Sequence, residues 1–116
     1  MASDDCLFCR IAAGDVSADI IQQDELVVAF RDISPKAPTH ILLIPRQHIG
    51  SAAELDDEHA HVLGRLFAVA ARLARDEGVV ERGFRVVTNA GRGAGQSVPH
   101  LHFHLLGGRS LGWPPG

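Results

Sequence analysis

The chain has almost no cysteine. Cys6 and Cys9 are its only two. They stand too close together to staple a fold, and in a reducing compartment a Cys-x-x-Cys more often binds metal or does redox chemistry. No apolar run approaches the length of a membrane span, and the opening Met1-Ala2-Ser3-Asp4-Asp5 has neither the basic nor the apolar part of a secretion signal. A cytoplasmic protein that does not enter membranes is therefore expected. Positive charge is not in excess: the formal net charge is −3 and the sequence pI about 6.1. That argues against bulk electrostatic binding of nucleic acid, while one small phosphate-bearing ligand needs only local donors. Internal repeats, low-complexity tracts and linkers are absent as well. The 116 residues are enough for one domain with a real core, residues 1–116, and too few for two.

What is present reads as an ordinary globular chain, with 46% hydrophobic and 22% charged residues. Leu7 to Ala13 is a short apolar stretch ended by Gly14, one or two helical turns. Asp19–Gln22 and Leu26–Arg31 read as strands around a turn at Gln23-Asp24-Glu25, and Ser34–Pro38, with two prolines, as a loop. His40–Pro45 is an apolar strand closed by Pro45. Ser51 and Glu54 fit a capping box, with Asp56 or Asp57 as the alternative N-cap. A helix is expected from there to about Glu77, with Val62, Leu66, Val69 and Leu73 at helical spacing and Gly78 as its stop. Phe84–Thr88 is a further strand. The expected class is α+β: about five mainly antiparallel strands, one long helix and one short one. His59 and His61 fall in the long helix as surface residues with no assigned role.

The stretch Pro99-His100-Leu101-His102-Phe103-His104-Leu105-Leu106 alternates histidine with large apolar residues. Period two is the pattern of a half-buried strand. His100, His102 and His104 then share one face, and Leu101, Phe103 and Leu105 the other. The apolar face packs on a core and the imidazole face lines a cleft. Neutral imidazole is a nucleophile, a proton carrier and a metal ligand near neutral pH. Grouping three titratable side chains on one face brings no packing benefit, so the pattern points to a site.

Directly before it runs a glycine-rich loop, Asn89-Ala90-Gly91-Arg92-Gly93-Ala94-Gly95-Gln96. Loop glycines let backbone N–H groups approach an anion. Ser97 adds a hydroxyl and Asn89 an amide. Neutral donors beside a row of imidazoles suit phosphoryl or nucleotidyl transfer, where charge on non-bridging oxygens is stabilised. The loop is neither a P-loop nor a dinucleotide-binding fingerprint.

Gly95-Gln96-Ser97-Val98-Pro99 followed by the three alternating histidines resembles the signature of the histidine triad (HIT) superfamily. The resemblance extends to Ala29-Phe30-Arg31-Asp32-Ile33-Ser34-Pro35, to Pro38-Thr39-His40 with the strand that follows, and to the Trp113-Pro114-Pro115-Gly116 end. It covers nearly the whole chain and points to the Hint branch rather than the Fhit branch, whose members hydrolyse dinucleoside polyphosphates.

The resemblance implies hydrolysis of purine nucleoside 5'-phosphoramidates to AMP or GMP. His102 is then the nucleophile that attacks the α-phosphorus, through a nucleotidyl-histidine intermediate. A backbone carbonyl near the first triad histidine accepts its other N–H. His104 donates to a non-bridging oxygen, and His40 supports the triad from the neighbouring strand. Asn89, Gln96 and Ser97 position the phosphate, with the Ser97 hydroxyl helping to protonate the leaving nitrogen. Asp32 accepts from the ribose hydroxyls; read without the family, it is a turn aspartate. Leu7, Phe8, Ile11, Phe30, Ile33 and Leu42 form the apolar slot for the base. Catalysis needs no cofactor. Cys6, Cys9, His48 and His100 are the implied ligands of a structural zinc, two thiolates and two imidazoles suited to a tetrahedron. A homodimer is also implied, its tail around Trp113 reaching toward the partner's site. Three competing functions stand beside this one: a polyphosphate hydrolase or nucleotidyltransferase, an idle nucleotide-binding module, and a metallohydrolase using His-x-His.

Overall fold

A computed structural model describes residues 5–116; residues 1–4, read above for a secretion signal, lie outside the described residues. Five strands form one antiparallel sheet. They are β1 (Ile20–Gln23), β2 (Val27–Arg31), β3 (Thr39–Pro45), β4 (Phe84–Val87) and β5 (Phe103–Gly107), in the order β1-β2-β3-β5-β4. Two α-helices flank the sheet, α1 (Leu7–Ala12) and α2 (Ala60–Asp76). This is the α+β arrangement expected from the sequence. No helix among the described residues is long and apolar enough to cross a membrane.

Strand parity decides which helix each residue meets. Val27 and Ala29 of β2, Ile41 and Leu43 of β3, and Phe103 and Leu105 of β5 pack with Leu66, Val69 and Leu73 of α2. Val28 and Phe30, and Leu42 and Ile44, point the other way, onto Phe8 and Ile11 of α1. Both faces of β3 are covered and all seven of its residues are buried, which is why Ile41–Pro45 reads as one continuous apolar run. Along β5 the same parity gives the α2 side Phe103 and Leu105 and leaves His104 on the α1 side. Leu101 and Leu105 are at most 1% exposed. Burying such a leucine stabilises the fold by about 1.5–3 kcal/mol, so the histidine segment is anchored from behind.

Two expectations need correction. The histidine segment is not a strand along its full length. The ladder begins at Phe103, and Leu43 is its last partner on β3. Beyond that point the Pro45 carbonyl faces the His100 ring, and Pro45 has no N–H for a ladder. The backbone of the preceding segment bonds elsewhere, Leu101 N donating to Ile49 O. The helix likewise does not start at Ser51. Two 3-10 turns, Ala52–Glu54 and Asp57–His59, precede α2, separated by extended Leu55 and Asp56. Ser51 Oγ caps the first turn by accepting from Ala53 N. The reciprocal capping box sits at the second: Asp56 Oδ1 accepts from Glu58 N, and the His59 ring accepts from Asp56 N. His59 is thus a cap. Gly78 ends α2 as expected, at φ +71°, in the left-handed region that favours glycine.

Candidate active site

On the α1 side of the sheet, Phe30 pairs with Leu42, and Leu42 with His104, in one row across three strands. His40, on β3, is a diagonal neighbour of His104. These register relations bring the base-slot candidates beside the histidines. Phe8 of α1 covers the row, its ring edge-on to Phe30 at 5.5 Å and to His102 at 5.1 Å. Thr88 Oγ1 donates to the backbone oxygen of His102 at 2.7 Å, which fixes the chain at that residue.

The hydrogen bonds determine where the imidazole protons sit. His102 Nδ1 lies 2.7 Å from the His100 carbonyl. A carbonyl only accepts, so Nδ1 carries the hydrogen and Nε2 keeps a lone pair in the neutral ring. Lys36 N donates to His40 Nδ1 at 3.0 Å. The proton of neutral His40 is therefore on Nε2, and it donates to His104 Nδ1 at 2.9 Å. His104 then carries its own hydrogen on Nε2. Burial holds His40 below the ordinary histidine range, and burial together with the neighbouring His102 and His40 pushes His104 down to about 4. Both rings are neutral near pH 7. One bare nitrogen, on His102, and one N–H, on His104, result on adjacent rings whose centroids are 5.1 Å apart.

Two clefts of about 400 Å³ each meet at this ridge. The first is mostly apolar. Leu7, Phe8, Ile11, Phe30, Ile33 and Leu42 line it with Asp32, Ser97, His102 and His104. Ile33 is 99% exposed and forms an open rim rather than a wall. The second is polar, lined by Asp32, Lys36, His40, Asn89, Ser97 and His104, with Val87 and Leu106. Asp32 lines both; its Oδ1 accepts from Ser34 N at 2.7 Å and its Oδ2 stands 3.5 Å from His40 Nε2. It is a turn aspartate and a cleft residue at once.

Two candidates from the sequence line neither cleft. Gln96 bridges loop backbone: its Oε1 accepts from Gly91 N, and its Nε2 donates to Gly50 O and Val98 O. Trp113 is 82% exposed beside the Arg85 guanidinium. Sequence reasoning missed Val16, Ser17 and Ala18, which line the apolar cleft from the α1–β1 connection, and Lys36, which lines the polar one.

The first triad histidine belongs to a different cluster. His100 is fully buried. Its Nε2 donates to Pro45 O at 2.9 Å, which leaves a lone pair on Nδ1. That Nδ1 lies 3.2 Å from Cys6 Sγ, 3.5 Å from Cys9 Sγ and 3.2 Å from His48 Nδ1. Cys9 Sγ is 3.2 Å from His48 Nδ1, and all four ligand atoms lie within 4.8 Å of one another. The edges of a tetrahedron around zinc with such ligands measure about 3.3–3.8 Å. Donor types, spacing and the oriented His100 ring all fit a metal ion. Asp32, His40 and His104 also gather closely, but the His40–His104 contact is already accounted for by a shared proton.

The HIT domain family model matches residues 13–111 of this chain. The chain is 48% identical over 110 residues to a purine nucleoside phosphoramidase of Escherichia coli, covering 95% of this chain and 92% of that protein. It is 46% identical over 112 residues to a 14 kDa zinc-binding protein of Zea mays, covering 95% and 87%. Its fold superposes on the crystal structure of a HIT family hydrolase from Legionella pneumophila with a TM-score of 0.95 at 46% identity, covering 97% of this chain and all of that one. A sheet and the segment leading into β5 that bring His40, His102 and His104 together, and a match of that length, lead to one conclusion: this chain belongs to the HIT family and is one of its hydrolases.

Proposed function

We propose that this protein hydrolyses purine nucleoside 5'-phosphoramidates to the nucleoside monophosphate and an amine. The observation that carries the reading is the bare Nε2 of His102, set where an apolar cleft meets neutral donors. The base enters the apolar cleft, and Asp32 accepts from the ribose. His102 Nε2 attacks the α-phosphorus, a P–Nε2 bond forms and the P–N bond breaks. The departing nitrogen keeps the electron pair and takes a proton through the Ser97 hydroxyl. The His104 Nε2–H and the Asn89 amide stabilise charge on the non-bridging oxygens. Water then attacks phosphorus, the P–Nε2 bond breaks, the lone pair returns to His102 and the water proton passes to the medium.

Cys6, Cys9, His48 and His100 hold a structural zinc in this reading. The Zea mays relative is named a zinc-binding protein, and the four ligand atoms here converge. When bound, the ion ties α1 to the segment that carries His102 and supplies no chemistry to phosphorus. A reducing cytoplasm keeps both cysteines as thiols. A homodimer is supported by apolar side chains left in water: Phe67 of α2 is 51% exposed and Phe84 of the edge strand β4 is 36% exposed.

The test is release of AMP from adenosine 5'-phosphoramidate by the wild type and by His102→Ala, with chelator present. Turnover by the wild type and its loss in the variant, by about 10³-fold or more, support the reading. No wild-type turnover with AMP still bound overturns it in favour of another leaving group or a binding module.

A further inference from the structure

We propose that the polar cleft beyond His104 receives the leaving amine, and that Lys36 makes this enzyme favour an amine carrying negative charge. The proposal rests on the phosphoramidase reading above. It begins with which residues the two clefts share. Asp32, Ser97 and His104 line both, whereas His102 lines only the apolar one. In phosphoryl transfer the attacking and departing atoms lie roughly in line through phosphorus. A phosphate seated over His104 and Ser97, and attacked from His102, expels its leaving group away from His102. The polar cleft, which shares Ser97 and His104 with the apolar one but is not lined by His102, is the space that receives it.

The charges at this cleft are uneven. Lys36 Nζ is held at its rim by Ser34 O at 2.7 Å and Ser34 Oγ at 3.3 Å. An ammonium has three donors, so one N–H lies outside these two bonds. The turn that carries it is fixed on both sides: Lys36 N donates to His40 Nδ1, and Lys36 O accepts from Arg109 Nε at 2.9 Å. The Arg109 guanidinium thereby stands behind the same turn and adds a second positive charge. Asp32 is the one acidic residue in the lining, with one oxygen engaged by Ser34 N. His40 is buried, His104 is partly buried, and both rings are neutral near pH 7. A carboxylate or phosphate on the leaving amine meets a positive rim; a neutral amine gains nothing from it.

The experiment uses paired adenosine 5'-phosphoramidates, one of each pair carrying an anion on the leaving amine. Glycine is paired with glycinamide, and phosphoethanolamine with ethanolamine. The readout is the ratio of kcat/KM, charged over neutral, within each enzyme, so a general loss of turnover cancels. For the wild type we expect a ratio of about three to ten at low salt, falling toward one as ionic strength rises. Lys36→Gln brings the ratio down toward one, Lys36→Glu lowers it further, and Lys36→Arg retains it. A preference in only one pair identifies carboxylate or phosphate as the favoured anion. Turnover with a wild-type ratio of one, or the same ratio in Lys36→Gln, overturns the proposal and leaves the phosphoramidase reading standing. Turnover of none of the four overturns both.

Discussion

His40 Nε2 lies 2.9 Å from His104 Nδ1, and because Lys36 N occupies the other nitrogen of His40, the proton between the two rings belongs to His40. His104 therefore presents an N–H to the cleft rather than a lone pair. His40 acts on the reaction through this tautomer. His40→Leu leaves His104 Nδ1 without a donor, and kcat/KM for adenosine 5'-phosphoramidate is expected to fall by about 10²-fold, the scale of losing one oriented donor. His40→Gln, whose amide can donate to Nδ1, should recover about a tenth or more of the wild-type rate. Nitrogen NMR of the ring reports whether His104 has changed tautomer; equal loss in both variants with the tautomer intact would remove this role.

The same burial sets a pH limit on stability. Burial lowers His40, and lowers His104 to about 4, against about 6.5 for unfolded histidine. Below pH 6.5 the unfolded chain takes up protons that the folded one refuses. The stabilising contribution is complete above 6.5 and is lost as pH falls toward 4, by at most about 1.4 kcal/mol per pH unit for each ring. Asp24 is a carboxylate lowered to about 2 through Leu26 N, Val27 N and the Arg65 guanidinium, with burial opposing. Its contribution is lost only between about 4 and 2, outside this window. Urea midpoints at pH 7, 6 and 5 should decline for the wild type and decline less for His104→Asn. Parallel profiles would remove His104 as a source.

Removing metal should lower stability. Freshly purified protein is expected to hold about one zinc per chain, and chelation or Cys9→Ser to lower the melting temperature by about 10 °C or more. Burial pushes the Cys6 thiol up, so without a cation the cluster buries the neutral Cys6 thiol against two imidazoles. No zinc, together with an unchanged melting temperature in chelator, would end the idea.

Much of this site was legible because it follows parity. Alternation placed Phe103 and Leu105 on the core face and His104 on the opposite one, and the apolar run ending at Pro45 identified a strand. What the sequence hid depends on long-range partners. The spacing of the histidines alone does not take His100 off the triad face; the family resemblance grouped it with Cys6, Cys9 and His48, and what stayed hidden is the Pro45 carbonyl that orients its ring. Gln96 sits inside the motif yet bonds the loop backbone, because residue type does not reveal which acceptor an amide finds. Val16, Ser17 and Ala18 reach the cleft only because α1 packs on Phe30. The break before α2 was concealed by two overlapping cap signals, Ser51 and Asp56, of which each took its own turn. Lys36 lay in a segment read only as a loop.

Phe67 supplies the test of assembly. Its ring packs edge-on to Phe103 at 5.5 Å, yet the residue is 51% exposed on α2. β4 ends the sheet with its outer edge unpaired among the described strands, and an open edge is ordinarily blunted or covered. Exposed aromatic surface and an open edge on neighbouring elements are what a second copy of the chain would cover. Light scattering at micromolar concentration is expected to give twice the 12.4 kDa mass of one chain. Phe67→Asp should shift the population toward monomer while the far-ultraviolet circular dichroism stays native, because Phe67 is only half-buried within its own chain and a charge there has access to water. Replacing Phe103, which is buried, would unfold the protein and test nothing about assembly. A wild-type monomer, or a Phe67→Asp dimer of undiminished affinity, would remove the helix face from the interface.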